Sequence, residues 1–167
     1  MQQIRKKDPP RLRFTLLLGL ALVLFAGCAP RRVTTGSPGN TSRSIGAGIV
    51  QTATTQIGRP YRSGGNSPQR GFDCSGLIFW AYGQHGIQVP RTTTEQARAG
   101  KSIPRSGLMP GDIVVFRERS GSNQLHTGIY IGKNNFIHSP NSRSSVRIDS
   151  LNASHWRRTF VSGRRIV

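Results

Sequence analysis

The sequence predicts an α+β domain in which helices come first and pack on a mostly antiparallel sheet. Three observations predict it. Apolar residues recur at helical spacing at 45, 49, 50, 53 and 57, and again at 77, 78, 81 and 82. Beyond residue 112 the pattern changes to β-branched and aromatic runs such as Ile113-Val114-Val115-Phe116. Helices followed by strands, rather than alternating with them, favour an antiparallel sheet with the helices gathered on it.

Taken in order, residues 1–27 form a secretory signal. Arg5, Lys6, Lys7, Arg11 and Arg13 precede Phe14 to Ala26, a stretch apolar apart from Thr15 and Gly19. It is shorter than the ~20 residues that span a bilayer as a helix. No twin-arginine signal is evident. The exit, Leu24-Phe25-Ala26-Gly27-Cys28, resembles the bacterial lipobox, with Phe25 where leucine is usual. That resemblance implies lipidation of Cys28 as the new N-terminus; the alternative is an ordinary signal with an incidental cysteine. With Ala29 after it, sorting to an outer membrane facing the periplasm is the expectation. Residues 28–44, rich in Pro, Arg, Thr, Gly, Ser and Asn, are expected to be a disordered tether.

The folded domain is expected over 45–167, about 120 residues, enough for one modest core. A first helix covers 45–57 and ends at Gly58, with Pro60 blocking its continuation. A polar, glycine-rich loop from Arg62 to Gly71 follows, then a helix through Leu77–Tyr82 that closes at His85-Gly86. Thr92 or Thr93 caps a short helix over 94–99, closed by Gly100. Strands are predicted at 113–116, 126–132, 135–138 and 145–149, the second and third joined by a turn at Lys133-Asn134. A helical turn at 151–156 and a last strand over 159–167 complete the domain.

The formal net charge is +18. The basic residues are scattered, in short clusters such as Arg31-Arg32, Arg157-Arg158 and Arg164-Arg165, and no nucleic-acid motif frames them. Nucleic acid is therefore not expected as a partner. An anionic polymer or lipid surface fits the charge without being selected by it.

Two cysteines are present, Cys28 and Cys74. With Cys28 committed to the exit of the signal, Cys74 stands alone at the start of the second helix. There, unpaired N–H groups and the helix dipole favour a thiolate. A thiol nucleophile needs a base, and the base needs an orienting partner. Of the four histidines, His85 lies roughly 16 Å from Cys74 along the helix axis, and His155 sits in a polar stretch beside Trp156. His126 and His138 flank one hairpin. A regular two-residue turn pairs Gly132 with Asn135, which sends the two rings to opposite faces. One extra residue in the first strand reverses this, and a bulge near Thr127-Gly128 is the expected site. His126 then serves as general base and acid, and His138 fixes its tautomer. A zinc site from Cys74, His126 and His138 is chemically allowed, but the spacing gives it little support.

At these residues the chain resembles the NlpC-type cell-wall peptidases, papain-like cysteine peptidases with permuted topology. The resemblance rests on Gly58-Arg59-Pro60-Tyr61-Arg62-Ser63-Gly64-Gly65, Asp73-Cys74-Ser75-Gly76-Leu77, Arg91-Thr92-Thr93, Pro110-Gly111-Asp112-Ile113-Val114-Val115-Phe116, His126-Thr127-Gly128-Ile129-Tyr130-Ile131-Gly132 and Phe136-Ile137-His138-Ser139. It implies Cys74, His126 and His138 as a triad, with no metal or other cofactor. It implies Tyr61 beside the nucleophile, helping to bind oxyanion or substrate, and Asp73 and Ser75 lining the substrate groove; Asp73 serves equally as a helix cap. The implied reaction is hydrolysis of amide bonds in peptidoglycan stem peptides or cross-links. The D-alanyl–diaminopimelate bond is favoured, with γ-D-glutamyl–diaminopimelate next. An inactive peptidoglycan-binding lipoprotein and an acyltransferase on the same fold are the alternatives. A regulatory protein is left open as a partner.

Overall fold

The computed structural model describes residues 38–118 and 124–167; the signal, Cys28 and most of the tether lie outside the described residues. The described part contains four α-helices, α1 (Pro38–Thr54), α2 (Cys74–Gly83), α3 (Thr93–Gln96) and α4 (Ser154–Thr159), and a short 3-10 helix at Arg105–Gly107. Its strands are β1 (Asn66–Ser67), β2 (Gly71–Phe72), β3 (Lys101–Ile103), β4 (Ile113–Arg117), β5 (Leu125–Gly132), β6 (Asn135–His138), β7 (Arg147–Ser150) and β8 (Phe160–Arg165). β1 and β2 form a small hairpin. The other six form one antiparallel sheet in the order β3-β8-β4-β5-β6-β7. The α+β class and the antiparallel sheet are as the sequence predicts.

Alternation along the strands divides the core in two. Ile113, Val115, Ile129 and Ile137 face α1 and α2, where they meet Ile49, Leu77, Ile78 and Tyr82. Val114, Phe116 and Phe136 face the other way and are covered by Leu151 and Trp156. Tyr82 fixes α2 to the sheet by donating its hydroxyl to the Gly111 carbonyl at the entry to β4. Burial raises the Tyr82 hydroxyl far above its usual range, so it stays a donor.

Several boundaries differ from the sequence expectation. α1 begins at Pro38, seven residues before Ile45, inside the stretch read as tether. The early residues are polar and carry no apolar period, so the pattern did not reveal them. β7 begins at Arg147, two residues after the predicted start at 145; Val146 is buried just before it, whereas Ile148 is 41% exposed. The β1–β2 hairpin and β3 were not expected, because strands of two or three residues are too short to carry an alternation.

The bulge is present but displaced. From Leu125 to Ile129, β5 pairs with β4 without interruption, so Thr127-Gly128 is regular. The extra residue is Ile131: Tyr130 pairs with Phe136, and the next pair is Gly132 with Asn135. The turn itself is as expected, with Lys133 and Asn134 at φ 51° and 57°, the mirror-image geometry that suits a two-residue hairpin. Gly128 has a different use from the one expected. A Cβ there would stand 2.7 Å from Phe136 Cδ2 and 3.2 Å from His138 Cβ, so glycine lets β6 and its side chains close down.

Candidate active site

Cys74 is the first residue of α2, and the cap that starts the helix is Asp73. Asp73 Oδ1 accepts the Gly76 N–H at 2.6 Å, and the Asp73 carbonyl accepts the Leu77 N–H at 3.1 Å. The Ser75 N–H is turned to the Cys74 sulfur. The Cys74 N–H has no hydrogen-bond partner among the described residues. Gly76 must be glycine because a Cβ would collide with the Gly65 carbonyl, and that close approach seats α2 against the loop before β1.

The sulfur lies close enough to Thr127 on β5 for its N–H to favour a thiolate, while the Thr127 hydroxyl donates to Gln96 Oε1 at 3.1 Å. β6 ends at His138, opposite Gly128, so Leu125–Thr127 extends beyond it. His126 is the residue before Thr127. It lines the same groove as Cys74 and Tyr61, a space of about 700 Å³ that also reaches Arg147 and Trp156. The displaced bulge still puts His126 and His138 on one face of the sheet. His126 Nε2 and His138 Nδ1 are 2.8 Å apart. His138 Nε2 in turn lies 3.0 Å from Asp149 Oδ2.

Burial dominates the electrostatics. It pushes the Cys74 thiol up, against the lowering influence of the Thr127 and Ser75 N–H groups. The helix start does offer donors to a thiolate, as expected, but desolvation outweighs them. Burial also pulls His126 down to about 3, helped by the neighbouring His138 and His155. His138 is lowered by burial too, with Asp149 opposing. The resting pair is therefore neutral thiol and neutral imidazole. Asp149 is held well below the carboxylate range, first by the His138 hydrogen bond and then by those from Arg147 and Trp156.

The remaining sequence candidates divide. Tyr61 lines the groove, and Cys74 is close enough to help burial raise its hydroxyl. Asp73 and Ser75 do not line the groove. Both Asp73 oxygens are taken by Arg91, at 3.0 and 2.8 Å, and Oδ2 also accepts the Gly64 N–H. Ser75 Oγ donates to Asp73 and accepts from Arg91 at 2.9 Å. The cap reading of Asp73 is the one its contacts support. His85 bonds Thr52 on the far side of α2, and His155 lies at the groove's rim, edge-on to Trp156.

Sequence reasoning passed over Gln96 and Asp149. Gln96 is fully buried; it donates to the Ser75 and Pro90 carbonyls and accepts from the Thr127 hydroxyl, tying the start of α2 to β5. A buried amide with three good bonds is visible only in three dimensions. Asp149 offered a signal, since it sits one strand beyond His138 in a chain poor in acids, six in all.

The model of the NlpC/P60 family matches residues 58–165. The chain belongs to the NlpC/P60 family. Among relatives of this family member, the probable endopeptidase NlpC of Escherichia coli is 38% identical over 160 residues, covering 93% of this chain and all of the relative. The murein DD-endopeptidase MepH of E. coli is 44% identical over 115 residues, 67% of this chain and 42% of MepH, so this chain spans under half of MepH's length. An NlpC/P60 family protein from Bacillus cereus superposes with a TM-score of 0.68 at 34% identity, over 72% of this chain and 40% of that one. Members of the family share the papain-like α+β fold described above.

Proposed function

We propose that this NlpC/P60 domain is a cysteine-type murein endopeptidase, with Cys74 as nucleophile, His126 as general base and acid, and His138 as the group that orients His126. The observation that carries the reading is a single thiol at a helix start that shares a groove with an imidazole whose far nitrogen is already engaged.

The chemistry follows from the placement. His126 Nε2 is committed to His138, so Nδ1 is the nitrogen left to take a proton. Because both groups rest neutral, proton transfer accompanies attack: the thiol proton passes to His126 Nδ1 as sulfur bonds the amide carbon. The oxyanion is received by the Cys74 N–H, with the Tyr61 hydroxyl beside it. His126 then gives its proton to the departing amine as the C–N bond breaks. Water, deprotonated by the same nitrogen, cleaves the thioester and returns the thiol.

MepH's designation as a murein DD-endopeptidase favours the D-alanyl–diaminopimelate cross-link as the bond, with γ-D-glutamyl–diaminopimelate second. Digestion of purified sacculi, with product masses read out, decides between them. Cys74→Ala is expected to lower turnover by at least about 10³-fold while leaving the thermal unfolding midpoint within a few degrees. Wild-type rates in that variant would refute the mechanism.

Placement in the cell is part of the same proposal. The lipobox-like exit supports lipidation of Cys28 and anchoring to an outer membrane, facing the periplasm. Cys28→Ala should move the protein from the membrane fraction to the soluble fraction and abolish palmitate labelling. Retention of both in the variant would exclude this anchor.

A further inference from the structure

The buried chain does not stop at His138. His138 is fully buried, and its Nε2 meets Asp149 Oδ2 at 3.0 Å. The same oxygen accepts the Trp156 Nε1–H at 3.0 Å, and Arg147 donates to both carboxylate oxygens at 3.1 Å. Trp156 also stacks on His126, with centroids 5.4 Å apart and planes at 29°, and stands edge-on to His138 at 5.0 Å. Phe136 closes the other side of His138 at 4.7 Å. The aromatic walls leave His138 no exposure to water, and Asp149 is its acceptor at Nε2.

We propose that Asp149 is a positioning residue that fixes the tautomers of both histidines and thereby makes His126 Nδ1 the base. This rests on Cys74 and His126 acting as proposed above. The argument is one of hydrogen-bond polarity. An ionised carboxylate can only accept, so His138 must carry its proton on Nε2. In neutral His138, Nδ1 is then a bare acceptor, and His126 must donate to it from Nε2. His126 Nδ1 is thereby left with its lone pair free to take the thiol proton. Were His138 protonated on Nδ1 instead, His126 Nε2 would have to accept. The His126 proton would then sit on Nδ1, facing the thiol as a donor, and the base would be lost. No proton moves along the chain in this scheme. When His126 becomes cationic during attack, the carboxylate at the far end of His138 helps to stabilise it. Asp149 and its two other donors keep this order in every turnover.

The experiment is nitrogen NMR of the intact protein, with two-bond couplings assigning the protonated nitrogen of each ring. In the wild type, both His126 and His138 are expected as Nε2–H tautomers. A wild-type His138 protonated on Nδ1 would overturn the proposal whatever any variant does. In Asp149→Ala, and in the isosteric Asp149→Asn if the first folds poorly, His126 is expected to gain Nδ1–H population. The value of kcat should drop about 10²- to 10⁴-fold with KM changed less than about threefold, by analogy with losing the tautomer-fixing acid of a serine peptidase triad. Trp156→Phe removes one donor to Asp149 but leaves the carboxylate, and should keep the wild-type tautomers. Unchanged tautomers in a folded Asp149 variant, or kcat within about threefold of wild type, would refute the role. Because the wild-type spectrum needs no substrate, a failure here is distinct from a failure to cleave murein.

Discussion

Burial holds three side chains neutral, Cys74 as a thiol and His126 and His138 as imidazoles, while hydrogen bonds, His138's first, hold Asp149 ionised against its burial. For His126 the folded value lies below its ordinary 6.5, at about 3. In that window the unfolded chain binds a proton that the native state refuses. Stability is full above the unfolded value and is lost as pH falls, at up to about 1.4 kcal/mol per pH unit for each such proton. His138 and Asp149, both lowered, add slopes of the same sign. The domain should therefore be acid-labile, its denaturation midpoint falling steadily from pH 6.5 toward 3. His126→Gln should flatten that dependence. A midpoint independent of pH across the window would show that burial does not hold His126 neutral.

At the scale of elements, the hairpin β5–β6 decides whether the site exists. Gly128 lies where Phe136 and His138 close on β5, so Gly128→Ala should force both side chains aside. The expected cost is about 1–3 kcal/mol, with a loss of kcat larger than the stability loss alone would cause, measured by denaturant unfolding and steady-state kinetics. Elements with a strong pattern were legible in the sequence. The apolar run Leu77–Tyr82, the strand at Ile113 and the turn at Lys133-Asn134 each carried their own signal. Thr92 does cap α3, its Oγ1 accepting the Glu95 N–H at 3.4 Å, and its hydroxyl donates to the Glu95 carboxylate at 2.7 Å. The need for one extra residue between the histidines was legible too, from parity alone. Its position was not, because a glycine that permits close packing and a glycine that permits a bulge look alike in one dimension. Gln96 and the Asp73–Arg91 pair were illegible for a related reason: each bridges separate elements, and polar residues carry no period.

For the whole molecule, the six-stranded sheet works as a partition with a different task on each face. Toward α1 and α2 it builds the body of the core and presents Thr127 to the thiol; toward α4 it builds the aromatic enclosure of the two histidines. Stability and proton control are therefore spatially separated. Ile49 on α1 is fully buried in the first layer, remote from the imidazoles. Ile49→Ala should cost about 2–5 kcal/mol, read as a lower unfolding midpoint. At a temperature where the variant remains folded, kcat should stay within about threefold of wild type. A collapse of kcat in the folded variant would mean that the two layers are coupled.

Ile131, the supernumerary residue of β5, is what lets an odd spacing bring two rings to one side. Were it paired residue for residue from the turn, His138 would face Ile129 and leave the side that carries His126. Excising it makes Tyr130 adjacent to Gly132 while Phe136 keeps its partner, so the kink vanishes and both rings stay where they are. A chain shortened by that one codon should therefore still cleave amide bonds; a folded but inert product would mean that the kink itself, and not parity, aims the second imidazole.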